Sequence, residues 1–204
     1  QFEVPDARRM YACFEQPNLK ATFAFTVTAP DHWQVVSNQP TPEPESLGEG
    51  KARWVFAATP RMSTYITALV AGPYQVWRDE LTSSDGRTIP LGVFARASLA
   101  EFMDPENVFT TTKQGFEFFE RNFGVPYPFE KYDQLFVPEY NMGAMENAGC
   151  VTFTESYVFR SRVSDAIRER RVITILHELA HMWFGDLVTM LSLIHISEPT
   201  RRTP

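Results

Sequence analysis

His177-Glu178-Leu179-Ala180-His181 lies inside a longer stretch, Ser164 to Phe184, whose pattern reads as one continuous helix. An α-helix turns about 100° per residue, so His177 and His181 fall one turn apart and about 40° apart around the axis. Two imidazoles on one helical face can reach a single metal ion, and Zn²⁺ is the ion this spacing suits. Glu178 projects beside that ion and can take a proton from water activated there. Ser164 is the expected N-cap, and Ile173, Leu176, Ala180 and Phe184 are the expected buried stripe.

Working upstream, a second helix is expected where Asp104 can cap and Pro105 can occupy the first turn. It runs to about Phe123, stops at Gly124, and carries Val108, Phe109, Phe116, Phe119 and Phe123 at a helical period. Between the helices, Tyr132–Val137 reads as a strand, followed by a Gly- and Asn-rich loop from Tyr140 to Gly149. The first third reads as β-structure. Lys20–Thr28 alternates apolar and polar residues, and Trp33–Val36, Arg53–Ala57 and Thr64–Val70 are short β-branched and aromatic runs. Gln39–Gly50, rich in Pro, Glu, Ser and Gly, reads as an exposed loop. Tyr74–Thr82 and Arg87–Phe94 form a strand pair about the turn Ser84-Asp85-Gly86. Ala71-Gly72-Pro73 marks a domain boundary. The fold class is therefore α+β.

Composition bounds the function. The chain has 204 residues, with 44% hydrophobic and 22% charged, and its seventeen Phe and four Trp supply a packed core. A formal net charge of −6 argues against a nucleic-acid partner. No apolar run approaches the roughly 20 residues of a membrane span. Cys13 and Cys150, far apart, argue against a disulfide framework and for a reduced, cytoplasmic setting; both read as packing residues.

A second motif, Gly143-Ala144-Met145-Glu146-Asn147, precedes the histidine helix. A Gly-Ala pair lets backbone approach a ligand closely, and Glu146 offers an anionic anchor for a free amino group. Together the two motifs resemble the aminopeptidase N family of gluzincin zinc exopeptidases. The resemblance extends to Asp6-Ala7-Arg8-Arg9, Cys13-Phe14-Glu15-Gln16-Pro17 and Lys20-Ala21-Thr22-Phe23. It includes Thr112-Lys113-Gln114-Gly115 and Phe123-Gly124-Val125-Pro126-Tyr127-Pro128, and covers residues 1 to 190.

What the resemblance implies is specific. Residues 1–72 would be the C-terminal part of a saddle-like β-domain, and 73–190 the first half of a thermolysin-like catalytic domain. His177 and His181 would be zinc ligands and Glu178 the general base. Glu146 would bind the substrate's α-ammonium, helped by Glu3, with Gln1 bordering the side-chain pocket. The backbone of Gly143 and Ala144, within a loop completed by Met145 and Asn147, would align the peptide like an added strand. The substrates would be peptides with a free N-terminus. The leukotriene hydrolase branch of the same fold commonly has Gly where this chain has Ala144, which ranks it lower. A non-enzymatic binding or scaffolding protein that keeps the helix as packing is the reading from another class.

The chain departs from the family in one place. A catalytic zinc site has three protein ligands and an open position. The family's third ligand is a Glu, where this chain has Thr200. Glu198 stands two residues earlier, about 200° around a helix, with Pro199 against helix there, and His195 would need a fortunate loop. Residues 191–204 resemble the translation of a sequencing-library adapter and are expected to be a non-native tail. The resulting expectation is an incomplete site, inactive by itself, with Ile173, Leu176 and Trp183 partly exposed.

Overall fold

The computed structural model describes residues 4–189. Gln1, Glu3, His195, Glu198 and Thr200, and the tail as a whole, lie outside the described residues. What is described is a mixed α+β fold: three small β-assemblies, one five-stranded sheet and two helices.

The β-rich first part contains β1 (Thr26–Pro30), β2 (Gln34–Ser37), β3 (Glu45–Gly48), β4 (Lys51–Val55) and β5 (Leu69–Gly72). Strands β1, β4 and β3 form an antiparallel sheet in that order, while β2 pairs with β5. Ala29, Val35, Ala52, Trp54 and Phe56 make its small core.

Three expectations are corrected here. The strand expected over Lys20–Thr28 is regular only from Thr26. Ahead of it the chain touches its neighbour at Ala21↔Met62, Phe23–Thr59 and Phe25–Phe56, two residues facing three at each step. That mismatch, with Pro60 lacking a donor, breaks the ladder. The expected loop Gln39–Gly50 holds β3, which is exposed on both faces and so shows no alternation to read. A left-handed turn at Gly48 (φ 77°), Glu49 (φ 53°) and Gly50 (φ 70°) returns it to β4. Thr64–Val70 is not one strand. Thr64–Ile66 forms a 3-10 turn closed by Thr67, whose hydroxyl donates to the Thr64 carbonyl at 2.8 Å, and β5 follows.

At Pro73 the chain changes sheet. Strands β6 (Tyr74–Thr82) and β7 (Thr88–Arg96) form the expected hairpin, paired from Tyr74↔Arg96 to Thr82↔Thr88 with Gly86 at φ 86° in its turn. Next in space come β8 (Tyr132–Val137), β10 (Cys150–Thr154) and the two-residue β9 (Ala144–Met145). β7, β8 and β10 run parallel, and β9 closes the edge antiparallel to β10. Every residue of β8 is buried, as suits a central parallel strand covered on both faces.

Helix α1 (Pro105–Phe123) matches its expected bounds. The Asp104 carboxylate accepts from the Asn107 amide at 3.2 Å, and Gly124 ends the helix at φ 67°. Helix α2 (Asp165–His181) packs across α1 at Gly115, where a Cβ would come within 2.7 Å of Leu176 and 2.8 Å of Leu179.

Helix α2 differs from expectation in three ways. Ser164 occupies the N-cap, but its side chain makes no capping bond; its carbonyl accepts from Ile167 and Arg168. The helix ends at His181, not Phe184. Amides of Asp186, Leu187 and Val188 bond five residues back to His181, Met182 and Trp183, and Gly185 sits at φ 137°. The chain then forms a small parallel pair, β11 (Phe184–Gly185) with β12 (Val188–Thr189). Lastly, the buried face is Arg171, Thr174, Ile175, Glu178 and Leu179, while Ile173 and Phe184 are 54% and 52% exposed. Ile173 and Leu176 are partly exposed as expected, Leu176 packing against Gly115, while polar residues fill much of the inner face, where hydrophobicity gives no signal. Trp183, expected to be partly exposed, is buried among Phe116, Phe119, Phe123 and Tyr127 and donates to the Val125 carbonyl at 2.9 Å.

Candidate active site

His177 and His181 sit on the last turn of α2 with ring centroids 4.6 Å apart and Nε2 atoms 3.1 Å apart. His181 is oriented by the helix ending just described, because its Nδ1 lies 2.8 Å from the Phe184 carbonyl. A carbonyl only accepts, so Nδ1 carries the proton and the His181 Nε2 lone pair is free in the neutral ring. In the metal-free chain His177 Nε2–H then donates to it. Burial, and then the neighbouring imidazole, hold the His177 pKa below its ordinary value, which keeps the ring neutral as a metal ligand must be. Two Zn–N bonds at a tetrahedral angle would separate the nitrogens by about 3.3 Å, so the pair fits two positions of a zinc ion. No group of three or more His, Cys, Asp or Glu side chains capable of holding a metal exists among the described residues.

Glu178 points the other way from solvent. It is 5% exposed, and its Oε2 has no hydrogen-bond partner among the described residues. Burial, reinforced by Glu146, pushes its carboxyl up to about 8. Neither Arg170 nor Arg171 pairs with it among the described residues. Arg171 bonds Asn107 at 2.8 Å and the Tyr157 carbonyl at 3.3 Å, and lies 3.7 Å from Asp104.

Glu146 reaches this place on the loop before β10. β9 packs against α2 and pairs with β10 at Phe153↔Ala144 and Thr152↔Met145. No strand covers its outer side among the described residues. Gly143 is exposed at its head, and a Cβ there would meet only the Tyr157 hydroxyl, at 3.6 Å. Met145 turns into the core. The Asn147 side-chain amide donates to the Cys150 carbonyl at 3.3 Å and to Thr152 Oγ1 at 3.2 Å, so these two side chains hold the loop. Glu146 stays half-buried between them, near enough to His177 and Glu178 to influence both pKa values.

The Peptidase M1 N-terminal domain matches residues 1–66 and the Peptidase family M1 domain matches residues 108–196. This chain belongs to the M1 peptidase family. Among its M1 relatives, an aminopeptidase N of Streptomyces lividans is 60% identical over 190 residues, 93% of this chain and 22% of that protein. An aminopeptidase N of Acetobacter pasteurianus is 39% identical over 193 residues, 93% of this chain and 52% of the relative. The Mus musculus aminopeptidase N is 34% identical, with 93% of this chain and 20% of the relative covered. The chain thus spans about a fifth to a half of the length of these M1 relatives. No helix among the described residues is long and apolar enough to cross a membrane.

Three further residues beside the candidate site escape sequence reasoning. Tyr65, from the 3-10 turn, and Tyr132, from β8, bury hydroxyls that have no partner among the described residues. Asp186, 3% exposed, has both carboxylate oxygens in the same condition. All three have pKa values raised first by burial, then by one another's acidic neighbourhood. Glu146 and Glu178 act on Asp186, Glu146 on Tyr65, and Glu178 on Tyr132. Buried Glu178 and Asp186 and half-buried Glu146 are therefore near enough to these phenols to raise their pKa values. The available signal was Asp186 itself, a lone carboxylate within Met182-Trp183-Phe184-Gly185-Asp186-Leu187-Val188.

Proposed function

We propose that the chain carries the amine-binding and proton-transfer part of a zinc aminopeptidase, which releases N-terminal amino acids from peptides. The observation that carries this is the pair of Nε2 atoms 3.1 Å apart, set beside a loop carboxylate at an uncovered strand edge. His177 and His181 would hold the ion, which would polarise the scissile carbonyl and lower the pKa of water. The outer edge of β9 would take the extended N-terminus of a peptide as an added strand. Glu146 would accept hydrogen bonds from the α-ammonium. Only the first residue then fits between that anchor and the scissile bond, a proximity effect. Glu178, buried and weakly solvated, would ionise beside a bound cation, take the water proton at Oε2 and pass it to the leaving amine. Glu3 and Gln1 belong to this reading through the family resemblance.

The domain assignment is part of the same proposal: 1–72 from a saddle-like β-domain, 73–190 from a thermolysin-like catalytic domain. Its support is the change of sheet between β5 and β6. A cytoplasmic setting is proposed as well, and is supported by two free thiols, one of them buried.

The second reading is a non-catalytic binding or scaffolding protein. What favours it is the two-imidazole donor set, one ligand short of a catalytic zinc centre among the described residues. Selective binding of a free amine separates these readings. Residues 1–204 with zinc are expected to cleave an aminoacyl anilide negligibly, yet to bind a free-amine ligand that also chelates zinc. Robust, chelator-sensitive cleavage would overturn the incomplete-site account, and equal binding of free and acetylated amines would overturn the aminopeptidase account.

A further inference from the structure

Asn38, at the end of β2, is 4% exposed and bonded to two distant segments. Its side-chain amide donates to the Ile66 carbonyl at 2.9 Å and to the Ala148 carbonyl, 110 residues away, at 2.8 Å. Its side-chain oxygen accepts from the Ala68 amide at 2.9 Å. The Ala148 amide in turn donates to the Ile66 carbonyl at 3.2 Å, which closes a clasp of three segments. Gly149 (φ 65°) completes it: a Cβ there would stand 3.2 Å from the Asn38 carbonyl oxygen and 3.0 Å from that of Lys131.

The clasp ends two residues from Glu146. Asn147 is tied to β10, Ala148 to Asn38 and Ile66, and the Gly149 carbonyl accepts from Lys131 Nζ at 2.8 Å. Two of these ties cross from the β-rich first part of the chain to the loop: the Asn38 amide to the Ala148 carbonyl, and the Ala148 amide to the Ile66 carbonyl, which Asn38 also holds. A short side chain at position 38 could not span both carbonyls, and the loop would lose the side-chain half of its lateral anchor, keeping the Ala148–Ile66 backbone bond and its pairing with β10. An amine anchor acts through position, so a small displacement of Glu146 is enough to weaken it.

We propose that Asn38 is a positioning residue that sets Glu146 over the end of α2, and so controls recognition of the substrate's α-ammonium. This rests on the amine-binding reading above. The test uses the zinc-loaded 204-residue chain, titrated calorimetrically with leucine hydroxamate and with N-acetyl-leucine hydroxamate. Asn38→Ala should lower the free-amine preference at least about tenfold while leaving the acetylated ligand within about twofold. The control is Ser37→Ala, which removes a buried hydrogen bond of 2.7 Å to the Ala68 carbonyl without touching the loop, and should leave the preference intact. A preference unchanged in Asn38→Ala, with only stability lost, would overturn the proposal. A wild-type chain with no preference would remove the amine-binding reading, and this inference with it. If Asn38→Ala does not fold, amide exchange in the unmodified chain decides: Ala148 should be protected as strongly as Ala68. Loop-like exchange at Ala148 would refute the clasp.

Discussion

Glu178→Gln in the metal-free chain should raise stability at alkaline pH, although it removes the residue assigned to proton transfer. The folded carboxyl titrates at about 8 against an ordinary value of 4.5. Because the folded value is raised, the folded chain binds more protons than the unfolded chain between those limits. Stability is therefore greatest below the unfolded value and falls as pH rises through the folded one. At about 1.4 kcal/mol per pH unit, the interval corresponds to a ceiling of about 5 kcal/mol. The side chain is 5% exposed, so solvent screening is slight. Urea unfolding at pH 5.5 and 8.5, with chelator present, measures the loss. The wild type should lose at least about 2 kcal/mol across that range. The Gln variant should lose less, and should be the more stable of the two at pH 8.5. Asp186 contributes with the same sign, so the variant's slope is reduced without vanishing. Parallel wild-type and variant profiles would refute the claim that Glu178 is held in a weakly solvated, acidic neighbourhood.

Asp186→Asn should likewise raise the urea midpoint, by an amount that grows with pH. Its carboxyl is raised well above the ordinary value by burial and by Glu146 and Glu178, and an amide places donors among those oxygens. A variant less stable than wild type at pH 8 would show that the carboxylate has a cationic partner. Gly115→Val should destabilise by about 1–3 kcal/mol through overpacking, since a Cβ there already meets Leu176 and Leu179 at 2.7 and 2.8 Å. A variant as stable as wild type by urea titration would mean that the α1–α2 contact is looser than described.

Local signals carried most of the fold into the sequence. The Asp104–Pro105 start and Gly124 stop of α1, the hairpin across Gly86 and the apolar and aromatic residues of β8 each depend on neighbours within one element. What escaped depends on distant partners. Strand β3 has no buried face to betray it. The tail of α2 is decided by Gly185 and the five-residue-back bonds of Asp186, Leu187 and Val188. The site follows the same division. The spacing of His177, Glu178 and His181 was legible because one helix supplies it. The buried face of α2 was only partly legible because Arg171, Thr174 and Glu178 occupy much of it, each kept there by tertiary contacts or by function rather than by hydrophobicity. Tyr65, Tyr132 and Asp186 come from three separate segments of the chain, so no local pattern links them.

The claim that matters most is that Glu146 recognises a free amine beside a metal held by His177 and His181. Calorimetric titration of the zinc-loaded chain with leucine hydroxamate, against N-acetyl-leucine hydroxamate, tests it most directly. The free amine should bind more tightly, a preference abolished by Glu146→Gln, with zinc itself still bound by that variant and lost in His177→Ala. Equal affinity for the two hydroxamates, or a preference that survives Glu146→Gln, would contradict it.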